Sequence, residues 1–389
     1  MTLMMAIGVA IQTPPDLPAA AARAPSSDAI VVTAQRNADA LAKCLRQGCP
    51  PIQDMTASIA VAEDLFARGD YRQARSVLGR SIARNKRHAA TLPVAVAALY
   101  EASANVNLHL GDSRAFRDDT ANRVRIVRAS APADSDRQVL AGTLLGDMWF
   151  SLGEIRQADI SYRTARSEAA RLGMDRLAAF LDLRRVGLRI AGKNLSEAET
   201  LLAGVENGGV ADAAVRRTAA AMRVRLASAS KRGPALDRAI AAFAALPASP
   251  DPILLKYDAI HESTAEAVER ASRAWGIPEA NIPSGAAVTH WIDVGFSIGA
   301  DGTVRDAEVL RGTMQADRVA AILRHIRSRR YARLALAEGS SSVYRVERYT
   351  LRSRLDLVKG SLIRQRAGAA KLEMLDITNS YAPPPESGA

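Results

Sequence analysis

From Met55 to about Leu246 apolar residues recur at three- and four-residue steps, the period of amphipathic helices packed on one another. Pro247, Pro250 and Pro252 then break helix and mark a boundary. Ile253 to Tyr257 follows as a short predicted strand, and Ser263-Thr-Ala-Glu266 has the form of a capping box opening a helix to about Trp275. From His290 the period is that of a strand. Ile292, Val294, Phe296 and Ile298 alternate with Asp293, Gly295 and Ser297, as in a strand with one buried and one polar face. Ala300-Asp301-Gly302 supplies a hairpin turn, and Val304 to Arg311 returns as its partner. Gln315 to Arg327 is an amphipathic helix with Val319, Ile322, Leu323 and Ile326 on one face, and Val343 to Leu351 is a third strand.

Internal repetition carries the most information in the helical part. Leu65-Phe-Ala-Arg-Gly69-Asp-Tyr71-Arg-Gln-Ala74 reads as helix, glycine turn, and second helix with Ala at a close-packing position. Leu145 to Ala158, with Tyr162 and Ala165, repeats it more fully, and Gly111 marks a turn between them. Gly69, Gly111 and Gly153 stand 42 residues apart each time, and weaker turns follow near Lys193 and Gly233. The unit at Leu145-Gly146, Trp149, Gly153, Ala158, Tyr162 and Ala165 resembles the tetratricopeptide repeat, with a longer period than that family's. A single hairpin cannot bury its apolar face alone, so the resemblance implies a stacked solenoid with a concave groove; the rival is an irregular helical bundle.

The C-terminal segment resembles the C-terminal domain of TonB-like energy transducers. The matching features are the strand with Phe296, then Asp301-Gly302-x-Val304-x-x-Ala307-x-Val309, a helix ending in Ser328-Arg329-Arg330-Tyr331-Ala332, and the strand Val343 to Leu351. The proline that family usually carries after the helix aromatic is absent, and Arg333 stands nearby. The resemblance implies partner binding by strand addition to an exposed sheet edge. The expected edge is the third strand, through Val343, Arg345, Glu347, Tyr349 and Leu351, its arginines guarding against indiscriminate pairing. Ile30-Val31-Val32-Thr33-Ala34-Gln35 resembles the TonB-box region of TonB-dependent receptors and is the candidate docked peptide; the alternative is a short strand or a disordered segment.

Hydrophobic content of 48% and 24% charged residues suit globular domains, and 4% aromatics suit small-residue helix packing better than a β-sandwich. The net charge of +11 raises an anionic partner, and from Ala286 to Arg366 fifteen Lys/Arg stand against eight Asp/Glu. That surplus reads as a solvated basic face or as a site for anionic envelope polymer; no recognition motif points to nucleic acid. Met1 to Ile11 is nearly all apolar, too short for a bilayer, which needs about 20 such residues. It reads as a secretory signal whose start lies upstream, or as an unstructured tail. Cys44 and Cys49 flank Gly48, which would fold the chain back between them. In an exported protein they are the candidate disulfide; in a reducing compartment they stay thiols.

Catalytic chemistry has two weak footholds. Gly111-Asp112-Ser113 is similar to an esterase nucleophile block but sits in a helical turn, and Ser228-x-x-Lys231 lacks the companion motifs of penicillin-binding enzymes. His88, His109, His261, His290 and His325 show no metal-ligand spacing, and no phosphate loop appears, so no metal or cofactor is expected. The expectation is a multi-domain chain: an all-α tetratricopeptide-like solenoid followed by a small α+β (ββαβ) TonB C-terminal-like domain. Its boundaries are a truncated signal (1–13), a flexible leader with the Cys pair (14–53), solenoid (54–247), linker with short helix (248–285), TonB-like domain (286–358) and tail (359–389). The functional expectation is a non-enzymatic adaptor in a Gram-negative periplasm or cell envelope, with protein or peptide partners and a possible place in TonB-dependent transport.

Overall fold

The computed structural model describes residues 27–132, 134–230, 233–258, 260, 290–352, 355–357, 364–366 and 371–378. The expected signal segment (1–13), the helix expected from Ser263 to Trp275, and Lys231 lie outside the described residues.

The helical part comprises α1 (Ser27–Gln47), α2 (Pro51–Ala67), α3 (Tyr71–Asn85), α4 (Pro93–His109), α5 (Ser113–Ser130), α6 (Asp136–Ser151), α7 (Ile155–Arg171), α8 (Asp175–Ala191), α9 (Leu195–Asn207), α10 (Ala213–Ala229) and α11 (Gly233–Ala244). Helices α2 to α11 form five successive antiparallel hairpins, each packed on the next. Local chemistry sets their ends. Pro51 and Pro93 sit in the first turns of α2 and α4, where a missing N–H costs nothing. Asp112, Asn194 and Asp212 cap α5, α9 and α10 through side-chain oxygens on backbone N–H groups.

The helix exits share one device. At Gly69 the backbone is left-handed, Gly69 N–H reaches Phe66 O at 2.9 Å, and Asp70 N–H reaches Leu65 O at 2.8 Å. The same pair of bonds recurs at Gly111 and Gly153, so the 42-residue spacing read from the sequence is the spacing of hairpin turns. Ala74 and Ala158, and Ala198 in the fourth hairpin, are fully buried where paired helices approach. Tyr162 lies against Gly146, leaving no room for a Cβ there.

The C-terminal module holds β1 (Leu254–Lys256), β2 (His290–Gly299), β3 (Val304–Gly312), α12 (Ala316–Ser328), β4 (Arg330–Tyr331), β5 (Ser342–Arg352), β6 (Leu355–Leu357), β7 (Arg364–Arg366) and β8 (Lys371–Asp376). Its main sheet has the antiparallel order β3-β2-β5-β8, while β1 pairs with β4 and β6 with β7. One face carries Ile292, Val294, Phe296, Ile298 and Tyr349 against Ile322 and Ile326 of α12.

Three expectations are corrected. Strand β5 is not an edge: β2 pairs it along one side, and β8 pairs Glu347 to Arg352 along the other, with Ile377 N–H continuing to Val346 O at 2.9 Å. Of the expected edge residues, Glu347, Tyr349 and Leu351 are therefore enclosed, and Val343 and Arg345 lie only on the short unpaired stretch. The segment taken as a tail beyond 359 supplies β8, so the sheet extends past the ββαβ unit. Finally, the leader expected to be flexible over 14–53 is helical from Ser27 to Gln47 and again from Pro51, so Ile30 to Gln35 is helical backbone within α1, not extended. The four β-branched residues Ile30, Val31, Val32 and Thr33 each disfavour helix by only a few tenths of a kcal/mol, and the Ala-rich run after them outweighs that.

Candidate functional site

In sequence Asp293 is the polar, outward half of a strand pattern, yet it is 0% exposed in the folded chain. The reason is the second face of the sheet, which docks on the first two hairpins. Asp293 on β2 and Arg348 on β5 are cross-strand partners, and Arg348 donates from Nε to Asp293 Oδ1 at 2.6 Å and from Nη2 to Oδ2 at 2.8 Å. Arg311 adds a third bond to the carboxylate at 2.9 Å. The remaining reach of Arg348 goes across to the solenoid, to the carbonyls of Phe66 and Ala67 at the end of α2, the latter at 2.6 Å.

A helix C-terminus exposes unpaired carbonyls and the negative end of the macrodipole, so a cation there is favourable. Arg348 is itself fully buried, and the Trp291 ring centroid lies 4.0 Å from its guanidinium carbon, with Phe66 at 5.2 Å. Trp291 in turn sits directly over Gly69, where any Cβ would overlap the indole nitrogen. Beside this cluster Thr350 Oγ1 lies 2.9 Å from His109 Nδ1 and 3.4 Å from Tyr71 Oη. His109 is held edge-on to Phe66, ring centroids 4.8 Å apart.

The module also holds the opposite end of the solenoid. Arg225 of α10 donates to Leu254 O at 2.8 Å, and Ala332 N–H bonds Ile253 O at 2.8 Å. Ala332 packs with Val224, Ala239 and Phe243 of the last hairpin. One module thus bridges the first two hairpins and the last.

Inside the module lies a second buried polar cluster, and two of the expected edge residues belong to it. Arg329 donates to Glu347 Oε1 at 2.8 Å, to Tyr349 Oη at 2.6 Å and to Tyr331 Oη at 3.1 Å. Tyr349 Oη donates to Glu347 Oε2 at 2.6 Å, and His325 Nε2 lies 3.3 Å from Arg329 Nη2. Burial and then the adjacent Arg329 charge push His325 down to about 4. His325, Arg329, Glu347 and Tyr349 are buried and Tyr331 is half-buried, and the cluster joins α12 to β5.

Cys44 and Cys49 are joined as a disulfide, Cα atoms 5.0 Å apart, across the left-handed Gly48. Ser113 is buried in the first turn of α5, and its hydroxyl contacts no base; a nucleophile needs one. No group of three or more His, Cys, Asp or Glu among the described residues could hold a metal ion. No described helix is long and apolar enough to cross a membrane. The docking cluster was not singled out from sequence, although opposite charges at facing positions of two predicted strands were there to be paired.

The fold and this docking site define a helical-repeat protein with an integral α+β module. No family model matches the chain, and no curated protein matches it. Two crystal structures of Podosopora anserina putative kinesin light chain nearly identical TPR-like repeats are similar to it at 14% and 13% identity, each with TM-score 0.39 and over 50% of this chain, and over 96% and 95% of theirs. BtubC (BKLC) from P. vanneervenii is similar at 14% identity and TM-score 0.41, over 67% of this chain and 97% of its own. The helical-repeat reading rests on the chain's own hairpins.

Proposed function

We propose that this chain is a non-enzymatic scaffold that holds protein partners on its helical-repeat surface, in the periplasm or cell envelope. One observation carries the reading: the repeats and the module are locked together by a buried ion pair that caps a helix, so they present one continuous surface. The interior charges are committed to such joints, as Asp54 is to Arg84 and Asp159 to Arg185 and Arg189, rather than gathered in a cleft. The Cys44–Cys49 pairing supports an oxidising compartment.

A link to TonB-dependent transport rests on the strand–turn–strand–helix resemblance. In that version, strand addition moves from β5 to the outer strands β3 and β8. The alternative, anchorage to anionic wall or membrane material through the module, loses support because Arg329 and Arg348, two of its surplus cations, are buried and paired.

The test is a photo-crosslinking residue at exposed Ile160 on the repeats and at exposed Val309 on β3, in the intact chain expressed in its own cells. A scaffold gives a trapped protein that also binds saturably when both are purified. Absence of any such partner, or substrate turnover by the intact chain, overturns the reading.

A further inference from the structure

The second helices of the first three hairpins, α3, α5 and α7, are basic on their outward faces. Arg80 on α3, Arg117, Arg125 and Arg128 on α5, and Arg156 and Arg163 on α7 are all exposed. On α5 the positions 117, 121, 125 and 128 fall at helical spacing on one stripe, as do 156, 160 and 163 on α7. These helices contain no lysine.

Several of the neighbouring carboxylates are turned inward. Asp54 is buried under Arg84 and Asn85, Asp159 under Arg185 and Arg189, and Asp112 caps α5. Asp119 accepts from Ser103 at 2.6 Å and Asn107 at 2.8 Å, and Asp147 from Tyr162 and Arg184. Folding thus partly separates charge: these acids go into the joints between helices with Arg84, Arg184, Arg185 and Arg189, while the six arginines named above remain outside, with Asp118 of α5, beside Arg114, as an exposed carboxylate among them. The pattern ends at α9, whose charged residues are Glu197, Glu199 and Glu206.

We infer that the outward face of α3, α5 and α7 is a docking surface for an acidic, carboxylate-rich protein segment. The inference rests on the scaffold reading and names its partner class. Arginine pairs with carboxylates through two parallel N–H bonds and is enriched at protein interfaces. Exposed Ile160 between Arg156 and Arg163 adds the apolar contact such an interface uses, and no aromatic ring on these three stripes offers a base a platform for stacking.

The experiment uses the intact chain and a fluorescein-labelled poly-glutamate peptide, read by anisotropy. Oligothymidylate and phosphatidylcholine–phosphatidylglycerol vesicles are the competing probes. The variant Arg80→Gln/Arg125→Gln/Arg156→Gln/Arg163→Gln should bind the peptide about thirtyfold more weakly, four exposed pairs each contributing a factor of about 2 to 3. Arg305→Gln/Arg345→Gln in the module should leave binding unchanged. Undetectable peptide binding, or equal affinity in the fourfold variant, overturns the assignment. Tighter binding of oligothymidylate or vesicles through the same arginines overturns it in favour of that class. A crosslinked partner whose binding ignores these arginines removes this surface and leaves the scaffold standing; no partner at all removes the scaffold too.

Discussion

Arg348 of β5 donates from Nη2 to the backbone carbonyl of Ala67, 2.6 Å away, and so closes the last turn of α2 from a strand 281 residues further along the chain. The same guanidinium neutralises Asp293. A single side chain therefore serves as helix cap, as ion-pair partner and as the core of the contact between repeats and module.

The first prediction concerns that side chain. Arg348→Ala leaves Asp293 buried without its principal partner, which costs about 3–5 kcal/mol for a pair of this kind. Asp293→Leu/Arg348→Met should cost less than the single change, since no fully buried charge is then stranded; Arg311, which loses this carboxylate, is only partly buried. Urea unfolding followed by circular dichroism checks both. A double variant as unstable as Arg348→Ala would mean the carbonyl caps, not the ion pair, hold the joint.

Gly69 and Gly153 allow a controlled comparison, because both are left-handed, at φ +83° and +85°, at equivalent turns. Only Gly69 has Trp291 above it. Alanine in this conformation costs about 1–2 kcal/mol, which is all that Gly153→Ala should lose. Gly69→Ala must also displace a buried indole, adding about 1–3 kcal/mol. Equal losses in thermal or urea unfolding would show that the module is not seated on the first hairpin.

Lys193 closes α8 in the same left-handed conformation, φ 61°, without being glycine. Its N–H bonds Ile190 O at 3.1 Å, and Asn194 N–H bonds Arg189 O at 2.8 Å, so the turn is built despite the side chain. Lys193→Gly removes that strain and raises unfolded-state freedom, for a net gain of about 0.5–1 kcal/mol. A lowered melting temperature would count against the assigned turn.

The hairpins were legible because each turn demands a left-handed residue and each tight crossing a small one, so Gly69, Gly111, Gly153, Ala74 and Ala158 mark the period directly. Strands β2, β3 and β5 were legible from their alternation. That alternation says which residues share a face but not what covers it, and Asp293 read as solvent-facing for that reason. Enclosure of Glu347 and Tyr349 depends on β8, a six-residue strand whose sequence has no partner written into it. Helix α1 was missed because four β-branched residues dominate a short window, whereas helix formation averages over the whole segment.

The last prediction is a pH dependence traced to His325. Its Nδ1 lies 2.6 Å from Asp258 O, which can only accept, so Nδ1 carries the proton; Nε2 then offers its lone pair to Arg329 Nη2, which can only donate. The neutral ring satisfies both contacts. A second proton would bring a positive charge against the Arg329 guanidinium in a buried site, and the folded pKa is accordingly about 4, against 6.5 for a free imidazole. Between those values the unfolded chain binds a proton that the folded chain refuses. Stability is therefore full above pH 6.5 and falls as the pH drops towards 4, by about 3 kcal/mol in all. The other titratable groups facing this ring are Glu347, Tyr349 and Tyr331, each bonded to Arg329, with Tyr257 edge-on to the imidazole and Asp258 beside it. Urea midpoints measured from pH 7.5 to 4.5 should drop in the native sequence, and His325→Gln should flatten most of that slope while lowering stability at pH 7. A slope unchanged by the substitution would place the acid sensitivity elsewhere and leave His325 a solvated, freely titrating residue.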